Sequence, residues 1–186
     1  NSLQISAGIG TISNPYILKY NKSDSLFASH PVPYTTNISS IQKVNMSIDS
    51  FNNLYLSGEY NGSGIINNFN GTSLVFSLPS VTNDSTFLIK YDTTGTAIKW
   101  SYLDTSIIKG TCIDPINNLY VTGTYGATTT SLSLYSFSTI SGSAGSSQLS
   151  LPAMSSIGTL ATVSYIVKYT SDQVASWTIL GSVQNT

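Results

Sequence analysis

The sequence predicts an all-β fold: propeller-like blades of short antiparallel strands that form an incomplete ring within its 186 residues. Three observations lead there. A hydrophobic-hydrophobic-Lys-Tyr pattern occurs three times, as Ile17-Leu18-Lys19-Tyr20, Leu88-Ile89-Lys90-Tyr91 and Ile166-Val167-Lys168-Tyr169. Between these lies a second repeated pattern, Asn-Asn-Leu-Tyr, at Asn52 to Tyr55 and Asn117 to Tyr120. Helical periodicity is missing, and Thr, Ser, Tyr, Val and Ile stand where a helix would favour Ala, Leu and Glu.

Because the two patterns keep a fixed order, they read as one repeating unit of four or five strands. The first unit, 1–71, opens on Ser2-Leu3-Gln4-Ile5-Ser6, which lies 71 positions before Ser73-Leu74-Val75-Phe76-Ser77. Its Lys-Tyr strand runs into Asn21-Lys22-Ser23-Asp24, a turn, and its later segment Asp49 to Tyr60 reappears 65 positions on as Asp114 to Tyr125. In the second unit, 72–146, Phe87 to Tyr91 and Ala97 to Tyr102 flank Asp92-Thr93-Thr94-Gly95. There Asp accepts backbone hydrogen bonds and Gly supplies a positive φ, so a hairpin is expected. Thr111 to Asp114 and Leu119 to Thr122 flank Pro115-Ile116-Asn117-Asn118, a second hairpin in which Asn tolerates the left-handed region. A partial third unit, 147–186, carries Ile166 to Tyr169, a turn at Thr170-Ser171-Asp172-Gln173, and Ser176 to Leu180, with no third Asn-Asn-Leu-Tyr after them. The three units together form a single β-repeat domain, and the unfinished unit leads us to expect either a longer chain or completion by strands of a neighbouring copy.

The order of hydrophobic-Lys-Tyr, turn, a strand with Trp, and Asp-x-x-x-Asn-Leu-Tyr-Val-Thr-Gly resembles the SBBP (beta-propeller) repeat family, over residues 15–60 and 86–125 and in part over 163–180. The resemblance implies four-stranded blades that each bury their faces against the next. It departs from the family at Asn52 and Asn117, where Gly is usual, and in the Ser/Thr-rich insertions after Tyr60 and Tyr125. The family is found in many secreted and surface proteins and has no single activity, so the resemblance carries architecture and no chemistry.

Composition narrows the function classes. Hydrophobic residues make up 40% of the chain, including twelve Tyr, enough for a sizeable core. Charged residues make up 8%, against roughly 25% in ordinary soluble domains. A hydroxyl- and amide-covered surface repels its own copies weakly, which favours packing in an assembly or masking by glycans. All seven cationic residues are Lys and the net charge is −1, which argues against nucleic acid. No apolar run approaches the roughly 20 residues of a membrane-spanning helix, and no basic-then-apolar leader opens the chain. The one cysteine, Cys112, reads as a small buried hydrophobe in a strand.

Six Asn-x-Ser/Thr triplets begin at Asn21, Asn37, Asn45, Asn61, Asn70 and Asn83, close to the number this composition yields by chance. Asn61 and Asn70 sit in Gly-containing, turn-like segments and are the best glycan acceptors, with Asn21, Asn37 and Asn83 next and Asn45 poorer. No nucleophile elbow or Cys/His metal spacing is present, and most acidic residues fall in turns. His30 precedes Pro31-Val32-Pro33 in an apparent loop. No catalytic residue, cofactor or metal is therefore assigned, although two carboxylates brought to one cleft would leave room for a glycoside-active enzyme. Aromatic residues inside the repeated strands, Trp100 and Trp177 among them, read as packing. Tyr60, Tyr125, Tyr135 and Phe137, placed in loops, are the candidate contacts for a lectin-like propeller. The leading expectation is a non-enzymatic structural or interaction protein, displayed outside a cell or on a virus particle or filament, whose partners are its own copies or other subunits.

Overall fold

The computed structural model describes residues 16–20, 26–31, 44–66, 68, 76–126, 132–140, 147–151 and 161–184. In chain order the strands are β1 (Tyr16–Tyr20), β2 (Leu26–Pro31), β3 (Val44–Ile48), β4 (Leu54–Gly62), β5 (Ile65–Ile66), β6 (Phe76–Ser77), β7 (Val81–Tyr91) and β8 (Ala97–Leu103). They continue as β9 (Ser106–Ile113), β10 (Leu119–Gly126), β11 (Leu132–Tyr135), β12 (Ser138–Thr139), β13 (Ser147–Leu151), β14 (Ala161–Thr170) and β15 (Gln173–Gln184). Among the described residues the fold is all-β and antiparallel, and no sheet closes into a barrel. The Ser2–Ser6 segment, the turn at residues 21–24, and Asn37 and Asn70 lie outside the described residues.

Two blades dominate. The first is β3-β4-β7-β8, and its β8 edge is extended by β11 and β12, with β13 on β11. The second is β9-β10-β14-β15. Each joins an Asn-Asn-Leu-Tyr hairpin to the Lys-Tyr hairpin that follows it, so the blades are phased differently from the sequence units. The Lys-Tyr hairpin of the third unit, β14-β15, pairs with β10 and makes the second blade four-stranded. A further Lys-Tyr hairpin, β1-β2, stands as its own sheet. His30 belongs to β2 and pairs with Ile17, a strand position where the Pro-rich context suggested a loop. Pro31 ends that strand, where its missing N–H costs least.

Alternation decides which face each residue covers. In the first blade β4 is buried on both faces from Tyr55 to Tyr60. Tyr55 and Leu88 face the second blade in a core shared with Leu119, Val121, Val163, Tyr165, Val167 and Tyr169. Leu56, Phe87, Ile89, Tyr91 and Trp100 form the core on the other face. In β10 and β14 one face is buried while the other is only half-buried.

The Lys-Tyr motif also marks a β-bulge. Pairing slips by one residue between Lys19 and Tyr20, between Lys90 and Tyr91, and between Lys168 and Tyr169. In each case the extra residue is on the following strand: Phe27, Ile98 and Ala175, which stand at equivalent positions. A bulge strengthens local twist and re-aims side chains. Beyond it Tyr91 and Tyr169 are buried, while Lys90 and Lys168 on the opposite side stay half-buried.

Candidate functional site

The most organised polar site is the joint between the two blades, and it is built from turns. Asp49, Asp92 and Asp114 each begin a turn of the same geometry. The main-chain oxygen of each accepts from the N–H three residues on, at 2.9–3.0 Å. Their Oδ1 atoms accept from the N–H groups two and four residues on, at 2.8–3.1 Å. The residue three positions after each Asp has a positive φ: 62° at Asn52, 85° at Gly95 and 65° at Asn117. Asn is among the few side-chain-bearing residues that adopt this region readily, which accounts for Asn at two of the three positions. Burial works to raise the carboxyls of Asp92 and Asp114, but their hydrogen bonds outweigh it, led by those from Thr94 and Asn118, and hold both below their ordinary values.

The turn between β14 and β15 is different. Ser171 and Asp172 both have positive φ, 49° and 65°, the geometry of a two-residue hairpin turn. This frees the Asp172 carboxylate to reach the other blade. Lys99 Nζ donates to Asp172 Oδ2 at 2.7 Å, Lys90 Nζ lies 3.3 Å from both oxygens, and Tyr55 Oη donates to Oδ1 at 3.1 Å. Lys90 also sits 3.9 Å from Asp49 and 4.8 Å over the Tyr55 ring. Phe137, from the segment between β10 and β14, donates its N–H to the Asp172 main-chain oxygen and packs edge-on against Tyr55 and Tyr169. Burial alone would raise the Asp172 pKa. The Lys99 bond, the charges of Lys90 and Lys99 and the Tyr55 hydroxyl outweigh it and hold the carboxyl below its ordinary value. A carboxyl so held stays ionised near neutral pH and is a poor proton donor. Burial first, then the Asp172 charge and its bond, pushes the Tyr55 phenol well above its ordinary value.

Nearer the ends of the first strands of the blades, Ser47 and Thr111 share a 2.9 Å hydrogen bond, and Asn117 exchanges two with Ser50. These bonds set the two Asp turns side by side. At their tips Phe51 and Ile116, 65 positions apart in sequence, are 69% and 78% exposed, and Met46 and Ile48 on β3 are exposed as well.

The predicted contact aromatics fall elsewhere than expected. Tyr60 and Tyr125 are in β4 and β10, not in loops, and are 1% and 2% exposed, since alternation turns both into a core. Phe137 is buried in the joint, and Trp100 is buried against the first blade. Tyr135, in β11, is half-buried and stacks on Tyr102 at 4.6 Å. Trp177 is partly buried against the shared core. Asn61 lies at the end of β4, and its Nδ2 donates to Asp84 at 3.1 Å. Asn83 is exposed on β7. Cys112 is exposed rather than buried: β9 is an edge strand, and this residue is on its outward face. Among the described residues no group of three or more His, Cys, Asp or Glu is placed to hold a metal, and no helix is long and apolar enough to cross a membrane. Sequence spacing does not reveal the joint, because the contacts of the Asp172 carboxylate span 73 to 117 positions of chain; the one signal is an Asp in each Lys-Tyr turn.

No family model, curated protein or solved structure matches the chain.

Proposed function

We propose that this chain is a non-enzymatic structural module of an assembly displayed outside a cell or on a particle or filament surface, with its own copies as first partners. The observation that carries the reading is the apolar rim: Phe51, Ile116, Met46 and Ile48 all stand exposed on the neighbouring β3-β4 and β9-β10 hairpins. Large exposed apolar side chains on neighbouring hairpins mark interaction sites more often than scattered single ones do. The surrounding surface has little charge to keep copies apart, since only 8% of residues are charged. The blades themselves are joined by side chains of repeated motifs, a construction that extends by adding units. Edge strands β3, β9, β13 and β15 present backbone groups to which another chain can add. The SBBP-type repeat is the architecture we propose for it.

Sedimentation across a wide concentration range tests the reading. The chain is expected to gain mass with concentration, and Phe51→Ser with Ile116→Ser to reduce that gain while leaving the thermal midpoint in place. A chain that stays monomeric at every concentration would overturn it.

A further inference from the structure

The two blades share a register, so each face of one has a counterpart on the other. Tyr55, Leu88 and Lys90 of the first blade correspond to Tyr120, Ile166 and Lys168 of the second, and Asp49 corresponds to Asp114. The first set faces the second blade, and Tyr55, Leu88 and Asp49 are buried. The second set, on the far face of the second blade, is half-buried throughout.

The chemistry of the covered cluster is kept in the open one. Lys168 Nζ lies 5.6 Å over the Tyr120 ring, as Lys90 lies 4.8 Å over that of Tyr55. One bond differs. Tyr55 gives its hydroxyl proton to Asp172 of the seated turn, whereas Tyr120 gives its own to Asp114 Oδ2, at 3.3 Å. Among the described residues no carboxylate lies within salt-bridge distance of Lys168. The open cluster therefore holds an ammonium, a phenol that donates to its own blade's Asp114, and a half-buried apolar residue, arranged as in the cluster that receives an acidic turn.

We propose that the Tyr120, Lys168 and Ile166 face binds an acidic hairpin turn of a second copy of this chain, as Tyr55, Lys90 and Leu88 bind the Asp172 turn within one copy. A second copy is the fitting occupant because the seated turn belongs to a Lys-Tyr hairpin, and the other two Lys-Tyr turns of each copy also carry an Asp, Asp24 and Asp92, Asp92 being the one that also caps its own turn through Oδ1. The Asp92 turn is exposed at Thr93 and Thr94; Asp24 is assigned from sequence alone. Face and turn are different surfaces of the molecule, so the contact is heterologous and generates rings or open filaments rather than a closed pair. Ser176 pairs with Lys168 where Lys99 pairs with Lys90, so one ammonium replaces two. The contact is accordingly weaker than the internal joint and salt-sensitive.

This inference names the contact for the self-association proposed above, and the test separates the two. Sedimentation is run at low and high salt on the intact chain and on Lys168→Glu, Lys168→Gln and Lys109→Glu, the last an exposed Lys on β9, with circular dichroism to confirm folding. Association of the intact chain is expected to weaken with salt, to need about tenfold higher concentration in Lys168→Glu, less in Lys168→Gln, and to be unchanged in Lys109→Glu. Asp24→Asn and Asp92→Asn then identify the turn, one of them reproducing the Lys168→Gln defect. Should the intact chain associate while both Lys168 variants match it, or neither Asp variant alter it, this contact is wrong and self-association stands. A chain monomeric throughout overturns both.

Discussion

Asp172 of the second blade accepts a 2.7 Å hydrogen bond from Lys99 of the first, and the same carboxylate holds Lys90 and the Tyr55 hydroxyl. One turn residue thus ties β14-β15 to three side chains on β4, β7 and β8. Removing its charge while keeping its shape isolates that tie. Asp172→Asn is expected to lower unfolding stability by about 1–3 kcal/mol, read by denaturant titration, because Lys90 is left largely buried without its nearest carboxylate. Asp84→Asn, at an exposed strand position, is the control and is expected to change it by less than about 0.5 kcal/mol.

The same carboxylate predicts an acid limit. Its pKa is lowered in the folded chain, so the stability it contributes is fully present above the unfolded value of about 3.9 and is lost as pH falls through the lower folded value. Thermal midpoints of the intact chain and Asp172→Asn should differ most above pH 4 and converge below it. A difference that persists undiminished in acid would show that the charge is not the cause.

At the alkaline end the sign reverses. Burial raises the Tyr165 phenol to about 12, and burial likewise raises Tyr91 and Tyr169. Stability from these groups is present below the unfolded value of about 10 and is lost as pH rises through the folded one. Phenolate absorbance from these buried tyrosines is expected to appear only with loss of near-ultraviolet circular dichroism.

Gly123, the glycine of Tyr120-Val121-Thr122-Gly123, has a packing reason. A Cβ there would meet the Ile107 main-chain oxygen and come within 2.5 Å of the Tyr165 hydroxyl. Gly123→Ala is expected to cost about 1–3 kcal/mol by overpacking. Combining it with Tyr165→Leu should recover only part of that loss beyond the single Tyr165 change, because the Ile107 oxygen remains.

Turn conformation gives a further contrast. Asn52 has a φ of 62°, so Asn52→Gly is expected to leave stability within a few tenths of a kcal/mol, while Asn52→Val should cost about 1–2 kcal/mol. Equal melting of the two variants would contradict the assigned turn geometry.

Local chemistry made much of the fold legible in the sequence. Asp followed by Asn or Gly three positions later specifies its own turn, since the carboxylate and the left-handed residue act within five residues. Alternation then identified strands on either side. The same local rules misplaced Tyr60, Tyr125 and Cys112, because their exposure is set by which edge and which face a neighbouring sheet covers.

The sequence by itself thus determined the repeated motifs, the strands that carry them and the Asp turns that join those strands. Tertiary structure alone decided that each Asn-Asn-Leu-Tyr hairpin joins the Lys-Tyr hairpin following it, that the Lys-Tyr motif carries a bulge, and that Asp172 closes the joint between blades. The reason is range. Turn and strand preferences are satisfied by backbone groups a few residues apart, whereas burial, ion pairing and exposed edges depend on surfaces brought together across scores of residues.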